Sequence, residues 1–114
     1  MNVSIIIPCY NEEKTIKEVI LNVKKYLNED DEIIVVDDCS TDNTQNILKS
    51  DLNHIVDKLI LNEKNYGKGY SIRRGINSVN CDIIIIQDAD LEYHPNDYDK
   101  LLKPIKNNLA DVVY

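Results

Sequence analysis

The stretch Gln87-Asp88-Ala89-Asp90-Leu91-Glu92 follows directly on the apolar run Ile83-Ile84-Ile85-Ile86. Two carboxylates one residue apart, at the exit of a buried strand, can point together into the crevice at the strand's carboxyl end. Open α/β sheets bind their ligands there. Left alone, the two anions repel each other, and a divalent cation relieves the repulsion. A hard cation such as Mg²⁺ takes oxygen ligands and shares them with substrate phosphates. The spacing therefore points to metal-assisted binding of a diphosphate. A solvated turn in an acidic chain produces the same Asp-x-Asp pattern, so the other strand ends must decide between the two.

Stepping along the chain, Val3–Ile7 is a short β-branched run ending at Pro8, as expected of a strand buried on both faces. Asn11 is expected to cap the next helix, with Glu12 and Glu13 in its first turn, where the helix dipole favours anions. Ile16, Val19, Ile20, Val23 and Leu27 then recur at helical spacing and give that helix one apolar face. Ile33–Val36 is a second buried strand and runs into Asp37-Asp38. The segment Ser40–Thr44 is rich in turn and cap residues and leads into a short helix carrying Ile47 and Leu48. Ile55–Leu61 is a third strand, weaker and nearer an edge. Asn62–Gly69 is a polar loop, and Ile72, Ile76 and Val79 mark a further helix. Asp82–Gln87 is the fourth strand. Pro95 suits the first turn of a last helix with Tyr98, Leu101, Leu102, Ile105 and Leu109 on its apolar face, and a fifth strand starts within Asp111–Tyr114. Strands alternating with helices imply a parallel α/β sheet with right-handed crossovers.

With 114 residues, one domain is the natural count. Twenty Asp and Glu against thirteen Lys and Arg give a net charge of −7, which argues against non-specific nucleic-acid binding. An anionic small molecule is still compatible, because a metal and helix N-termini supply local positive potential. No apolar run approaches a membrane span, and the first residues lack the pattern of a signal peptide. Cys9, Cys39 and Cys81 form an odd set without metal-like spacing, which suggests reduced thiols in a cytoplasmic protein, each a small buried residue.

Three strand ends carry polar groups: Pro8-Cys9-Tyr10-Asn11-Glu12, Asp37-Asp38-Cys39-Ser40 and Asp88-Ala89-Asp90. In a parallel sheet all three share one edge. They place an aromatic ring, several carboxylates and a helix N-terminus around one crevice, which suits a nucleotide. The ring can pack on a base, a carboxylate can accept from a base N–H or from ribose hydroxyls, and a metal can hold the phosphates.

These segments, taken with Asn65-Tyr66-Gly67-Lys68-Gly69 and Arg73-Arg74-Gly75, resemble the ordered motifs of the family 2 glycosyltransferases. Gln87-Asp88-Ala89-Asp90-Leu91-Glu92 is most similar to the branch that moves a hexose onto dolichyl or polyprenyl phosphate. The resemblance covers nearly the whole chain. It implies the GT-A fold, a Rossmann-like, mostly parallel sheet sandwiched by helices and here cut after the fifth strand. Residues 1–114 would then be the N-terminal, donor-binding part of the domain.

The resemblance also implies roles. Pro8 and Tyr10 border the base, Glu12 reaches the ribose, and Asp38 accepts the base N–H. Lys68 and Arg73 sit near the diphosphate or order its loop. Asp88 contacts ribose or metal, Asp90 holds the metal, Mg²⁺ or Mn²⁺, against the diphosphate, and Glu92 is a further metal ligand. Asp88 and Asp90 are thus the implied catalytic pair. Asp37 is read as ordering its loop, Asp42 and Thr44 as turn and cap residues, and Arg74, His54 and His94 as surface residues.

The implied reaction is inverting displacement at the anomeric carbon of a UDP- or GDP-hexose. The acceptor is a polyprenyl phosphate or a polysaccharide-type hydroxyl, and a longer parent would work at the cytoplasmic face of the membrane. The isolated chain would bind donor while transferring slowly or not at all. The competing reading is a nucleotide-binding module or inactive remnant without transfer activity. A phosphotransferase with Asp88 as nucleophile lacks the later Lys and acidic-pair motif, and a dehydrogenase lacks Gly-x-Gly-x-x-Gly after the first strand. An exposed sheet edge is also expected to allow self-association.

Overall fold

Along the first strand Val3, Ile5, Ile7 and Cys9 fall on one face and Ile6, with Ser4 and Pro8, on the other, so that both faces are largely apolar. In the computed structural model, which describes residues 2–90 and the backbone of 112–113, strand β1 spans Val3–Cys9 and β2 spans Glu32–Asp37. Every residue of both is buried. β3 covers Lys58–Leu61, β4 Ile83–Ile86 and β5 Val112–Val113. All four pairings are parallel, in the order β3-β2-β1-β4-β5. The weak third strand is thus an edge strand, as its sequence suggests. It begins at Lys58 rather than Ile55, because Ile55 and Val56 still donate their N–H groups back to the Leu52 carbonyl.

The period-2 alternation divides the core in two. Val3, Ile5, Ile7, Ile33, Val35, Ile83 and Ile85 face one side. There they meet helix α1 (Ile16–Lys24), through Ile16, Val19, Ile20 and Val23, and the short helix α2 (Thr44–Asn46), which runs on as a π-helical turn over Ile47–Asp51. Ile6, Ile34 and Val36 face the other side with Ile60, Ile84 and Ile86, against Ile76 and Val79 at the end of helix α3 (Lys68–Ile76) and just beyond it. Gly75 lets α3 approach, since a Cβ there would lie 2.6 Å from Ile6 Cγ2. The last helix expected after Pro95, and with it Glu92, Tyr93 and His94, lies outside the described residues.

Asn11 does not cap α1. The helix starts at Ile16 with Thr15 in the cap position, so Glu12 and Glu13 precede it and Glu18 is the acid of its first turn. Asn11 instead turns the chain at φ 53° and accepts from the N–H groups of Thr41 (2.8 Å) and Asp42 (3.2 Å). Its own N–H donates to Ser40 Oγ at 2.8 Å, tying the β1 exit to the β2 exit. Only one of the three thiols behaves as the small core residue expected: Cys9 is buried, while Cys39 and Cys81 are half-buried.

The opposite, N-terminal edge of the sheet is closed by polar bonds. Ser4 Oγ donates to Glu32 Oε2 (2.6 Å), the Asn80 N–H donates to the same oxygen (2.8 Å), and Lys58 pairs with Glu32 Oε1 (3.4 Å). Asp31 accepts from the N–H groups of Val3 and Asn28, both at 2.8 Å.

Candidate functional site

Strands β1 and β4 part company before either exit loop begins. Their pairing ends at Ile6 and Ile86, with the Gln87 N–H donating to the Ile6 carbonyl, whereas β1 and β2 stay paired through Cys9 and Asp37. Backbone groups of β1 point alternately to its two neighbours, Ile6 towards β4 and Cys9 towards β2. Pro8 shares the β4 side with Ile6, so its missing N–H falls where the ladder has already stopped. The fork is also where the strand order reverses, the position at which open α/β sheets hold ligands.

A cleft of about 280 Å³ opens at this fork, lined by Pro8, Cys9, Tyr10, Glu12, Asp38, Lys68, Ser71, Asp88, Ala89 and Asp90. Seven of the nine residues singled out in the sequence meet there. Arg73 does not line the cleft. It lies two positions beyond Ser71 on α3, about 200° around the helix, and its guanidinium lies about 4.0 Å from a Cβ built on Gly69. Glu92 is outside the described residues. Cys9, Ser71 and Ala89 join the lining without a sequence signal of their own.

Asp38 is 5% exposed and its carboxylate organises the loop opposite. Oδ1 accepts from Asn62 Nδ2 and the Tyr66 N–H, and Oδ2 from the Gly67 N–H, all at 2.8 Å. Burial pushes this carboxyl up, but the three donors outweigh it and hold it below the usual carboxylate range. A carboxylate has about four lone-pair sites, and donors among the described residues take three of them. Asn62 was read only as a loop residue, yet it is the hub. It is buried, donates to both Asp38 and Ser71 Oγ (2.9 Å), and accepts from Arg74 Nη1 (2.8 Å). Arg74 is on the surface as expected, but its guanidinium is committed to this network. Gly67 sits at φ 100°, a conformation that strongly favours glycine, and opens α3 so that Lys68 is its first residue.

Asp37 is wholly buried and orders its loop. It accepts from the Ser40 N–H (2.9 Å), Ser40 Oγ (2.5 Å) and Gln45 Nε2 (2.8 Å), with the Cys9 thiol at 3.5 Å. Burial and the neighbouring Asp37 carboxylate push the Cys9 thiol up, so it stays protonated under the cleft. Asp42 takes the turn role expected of it, accepting from the N–H (2.9 Å) and hydroxyl (2.6 Å) of Thr44. Thr15 Oγ1 donates to the Ala89 carbonyl at 2.9 Å and lies 3.2 Å from Glu12 Oε2, joining the α1 entry to the Asp88–Asp90 turn. Across the cleft, the Lys68 ammonium pairs with Asp88 Oδ1.

The pattern of the domain described as Glycosyl transferase family 2 matches residues 4–114. The chain belongs to glycosyl transferase family 2. This family 2 chain is 41% identical over 108 residues to the undecaprenyl-phosphate 4-deoxy-4-formamido-L-arabinose transferase of Photorhabdus laumondii, covering 89% of this chain and 33% of that protein. The Proteus mirabilis protein of the same name is 36% identical over 107 residues, 88% of this chain and 32% of that one. The chain therefore spans about a third of the length of the curated relatives it matches. Among solved structures, it superposes with a TM-score of 0.76 and 26% identity on Staphylococcus aureus TarS 1–349 in complex with UDP-GlcNAc, over 94% of this chain and 32% of that one. Glucosyl-3-phosphoglycerate synthase from Mycobacterium tuberculosis, in complex with Mn²⁺, UDP and glucosyl-3-phosphoglycerate, gives a TM-score of 0.75 at 27% identity, over 91% of this chain and 39% of that one. The family 2 chain thus has the GT-A fold expected from its motifs. Among its described residues, no helix is long and apolar enough to cross a membrane.

Proposed function

We propose that this chain is the donor-binding part of a transferase that moves a sugar from a nucleotide diphosphate, UDP in preference to GDP, to a polyprenyl phosphate. The observation that carries the reading is the fork between β1 and β4, which gathers Tyr10, Glu12, Asp38, Lys68, Asp88 and Asp90 around one cleft. The names of the relatives support the lipid-phosphate acceptor, and the UDP complexes of the structural neighbours support the base.

The donor set fits a hard divalent cation. Asp88 and Asp90 offer carboxylate oxygens on one rim, and the described residues hold no group of three or more His, Cys, Asp or Glu that would cage a metal by themselves. Two carboxylates suit Mg²⁺ or Mn²⁺, which complete their shells from water and substrate phosphates. Bound there, the cation supplies Lewis-acid stabilisation of the charge that develops on a leaving diphosphate.

The protein's own groups do the rest. The Tyr10 ring, 42% exposed on the rim, packs against the base, and Asp38 accepts a base N–H. Glu12 reaches the ribose hydroxyls. Lys68 presents its ammonium to the diphosphate, a preorganised charge of the kind that favours a transition state in which the leaving group gains charge. A lipid phosphate is already an anion, so displacement with inversion at the anomeric carbon requires no general base from this part of the domain.

Calorimetric titration of UDP, GDP and UDP-hexose, with and without Mn²⁺ or Mg²⁺, tests the reading on this chain and on Asp90→Ala. UDP binding should depend on the cation and weaken in the variant by at least the roughly tenfold seen for outer-shell changes at metal sites. Equal, cation-independent binding by both proteins would overturn it.

A further inference from the structure

Thr15 holds the cap position of α1, yet its side chain makes no cap hydrogen bond to that helix. A threonine there ordinarily accepts from the second or third helical N–H. Here the hydroxyl is turned to the wall of the cleft instead. Oγ1 donates to the Ala89 carbonyl at 2.9 Å, across 74 residues of sequence, and has Glu12 Oε2 at 3.2 Å. A hydroxyl carries one proton, so these two acceptors compete for it. The Ala89 distance falls within the usual O–H···O range of about 2.5–3.0 Å, and the Glu12 distance lies beyond it. The proton therefore sits towards Ala89. Ala89 is 4% exposed and separates Asp88 from Asp90. Its carbonyl belongs to the planar peptide that leads into Asp90, so a bond to that oxygen sets the direction in which Asp90 leaves the turn.

We infer that Thr15 is a positioning residue that ties the ribose end of the cleft to its metal end. The inference rests on the donor-site reading above, in which Glu12 meets the ribose and Asp90 the cation. Thr15 does not itself line the cleft, whereas Glu12 and Ala89 both do. When ribose hydroxyls donate to Glu12, its oxygens draw less strongly on the Thr15 proton. That proton then stays with Ala89, and the Asp88–Asp90 turn keeps the geometry that receives the cation. Without ribose hydroxyls Glu12 competes for the proton, and the turn is held less firmly. One O–H thus couples ribose and cation, and the coupling is reciprocal: each raises the affinity of the other by the same factor.

The test is Mn²⁺ affinity, read from the electron paramagnetic resonance of the protein-bound ion, at saturating UDP and at saturating dideoxy-UDP. The analogue keeps base and diphosphate but has no ribose hydroxyls. The unsubstituted chain should bind Mn²⁺ about fivefold more tightly with UDP than with the analogue, the factor expected of one net hydrogen bond. Thr15→Val keeps the side-chain shape and removes the proton. It should lose about fivefold in Mn²⁺ affinity with UDP, together with most of the difference between the two nucleotides, and Thr15→Ser should restore both. UDP affinity without metal should be unchanged in either variant. Equal Mn²⁺ affinity with the two nucleotides on the unsubstituted chain overturns the inference while the donor site stands. So does a Thr15→Val chain that keeps the full difference, or one whose metal-free UDP affinity and unfolding midpoint fall along with its Mn²⁺ affinity, as a merely structural threonine would give. If no form binds Mn²⁺ with either nucleotide, the donor-site reading itself fails and the inference falls with it.

Discussion

Asn62 does at the scale of one side chain what no motif announces. Its amide bridges the β2 exit, the 62–67 loop and α3 through Asp38, Ser71 and Arg74. Asn62→Ala would leave Asp38 one donor short and remove the acceptor of Arg74 Nη1, and Asn62, Asp38 and Ser71 are all buried. The expected loss of stability is about 1–3 kcal/mol, measurable by urea denaturation with the m-value unchanged. The metal-dependent part of UDP affinity should fall less than the base-dependent part, because the loop held by Asp38 is what slackens. The carboxylates of the cleft were legible in the sequence, since Asp38, Asp88 and Asp90 follow closely on apolar runs read as parallel strands, whose exits share one edge. Asn62 was not legible. A loop asparagine has the same sequence appearance whether it faces water or three partners, and the partners come from segments 9 to 24 residues away.

At the scale of elements, periodicity located the strands and the buried faces of the helices, because burial of apolar side chains decides both. It misplaced the helix starts, which are decided by hydrogen bonds between distant loops. Asn11 has the composition of a cap, but its amide oxygen is taken by the Thr41 and Asp42 N–H groups, so α1 waits until Ile16. Lys68 and Gly69 have the composition of a loop, yet the left-handed turn at Gly67 starts α3 two residues earlier than the polar pattern suggests. Arg73 illustrates the same limit, since a motif fixes its sequence position but only the helix phase shows that it turns from the cleft. The approach of α3 to the sheet is tight at Gly75. Gly75→Ala would press a methyl against Ile6, a fully buried residue of the central strand. Overpacking of this kind costs about 1–3 kcal/mol and should lower the thermal midpoint. The further substitution Ile6→Ala should make the pair of changes less than additive, as expected for residues in contact.

Across the whole molecule, the sheet holds its two ends differently. The cleft end is open and carries the groups of the proposed donor site, while the far end is closed around Glu32. Burial pushes Glu32 up, but Ser4, the Asn80 N–H and Lys58 outweigh it and hold this carboxyl below its ordinary value, as the loop donors do for Asp38. For a carboxyl lowered on folding, the stability gained is present above its unfolded value, about 4. It is lost as pH falls through the lower, folded value. The thermal midpoint should therefore be insensitive to these two groups above about pH 5 and decline below about pH 4. Glu32→Gln should be less stable at neutral pH and lose less on acidification, which calorimetry at a series of pH values would show. The five steps from Ser4 to Cys9 along β1 put the two ends about 17 Å apart, and the polar bonds at each end share no partner. Free-energy changes at sites so separated add. A variant hardened against heat or acid at the Glu32 end can therefore be combined with altered donor choice at the proposed site around Asp38, each selected without regard to the other.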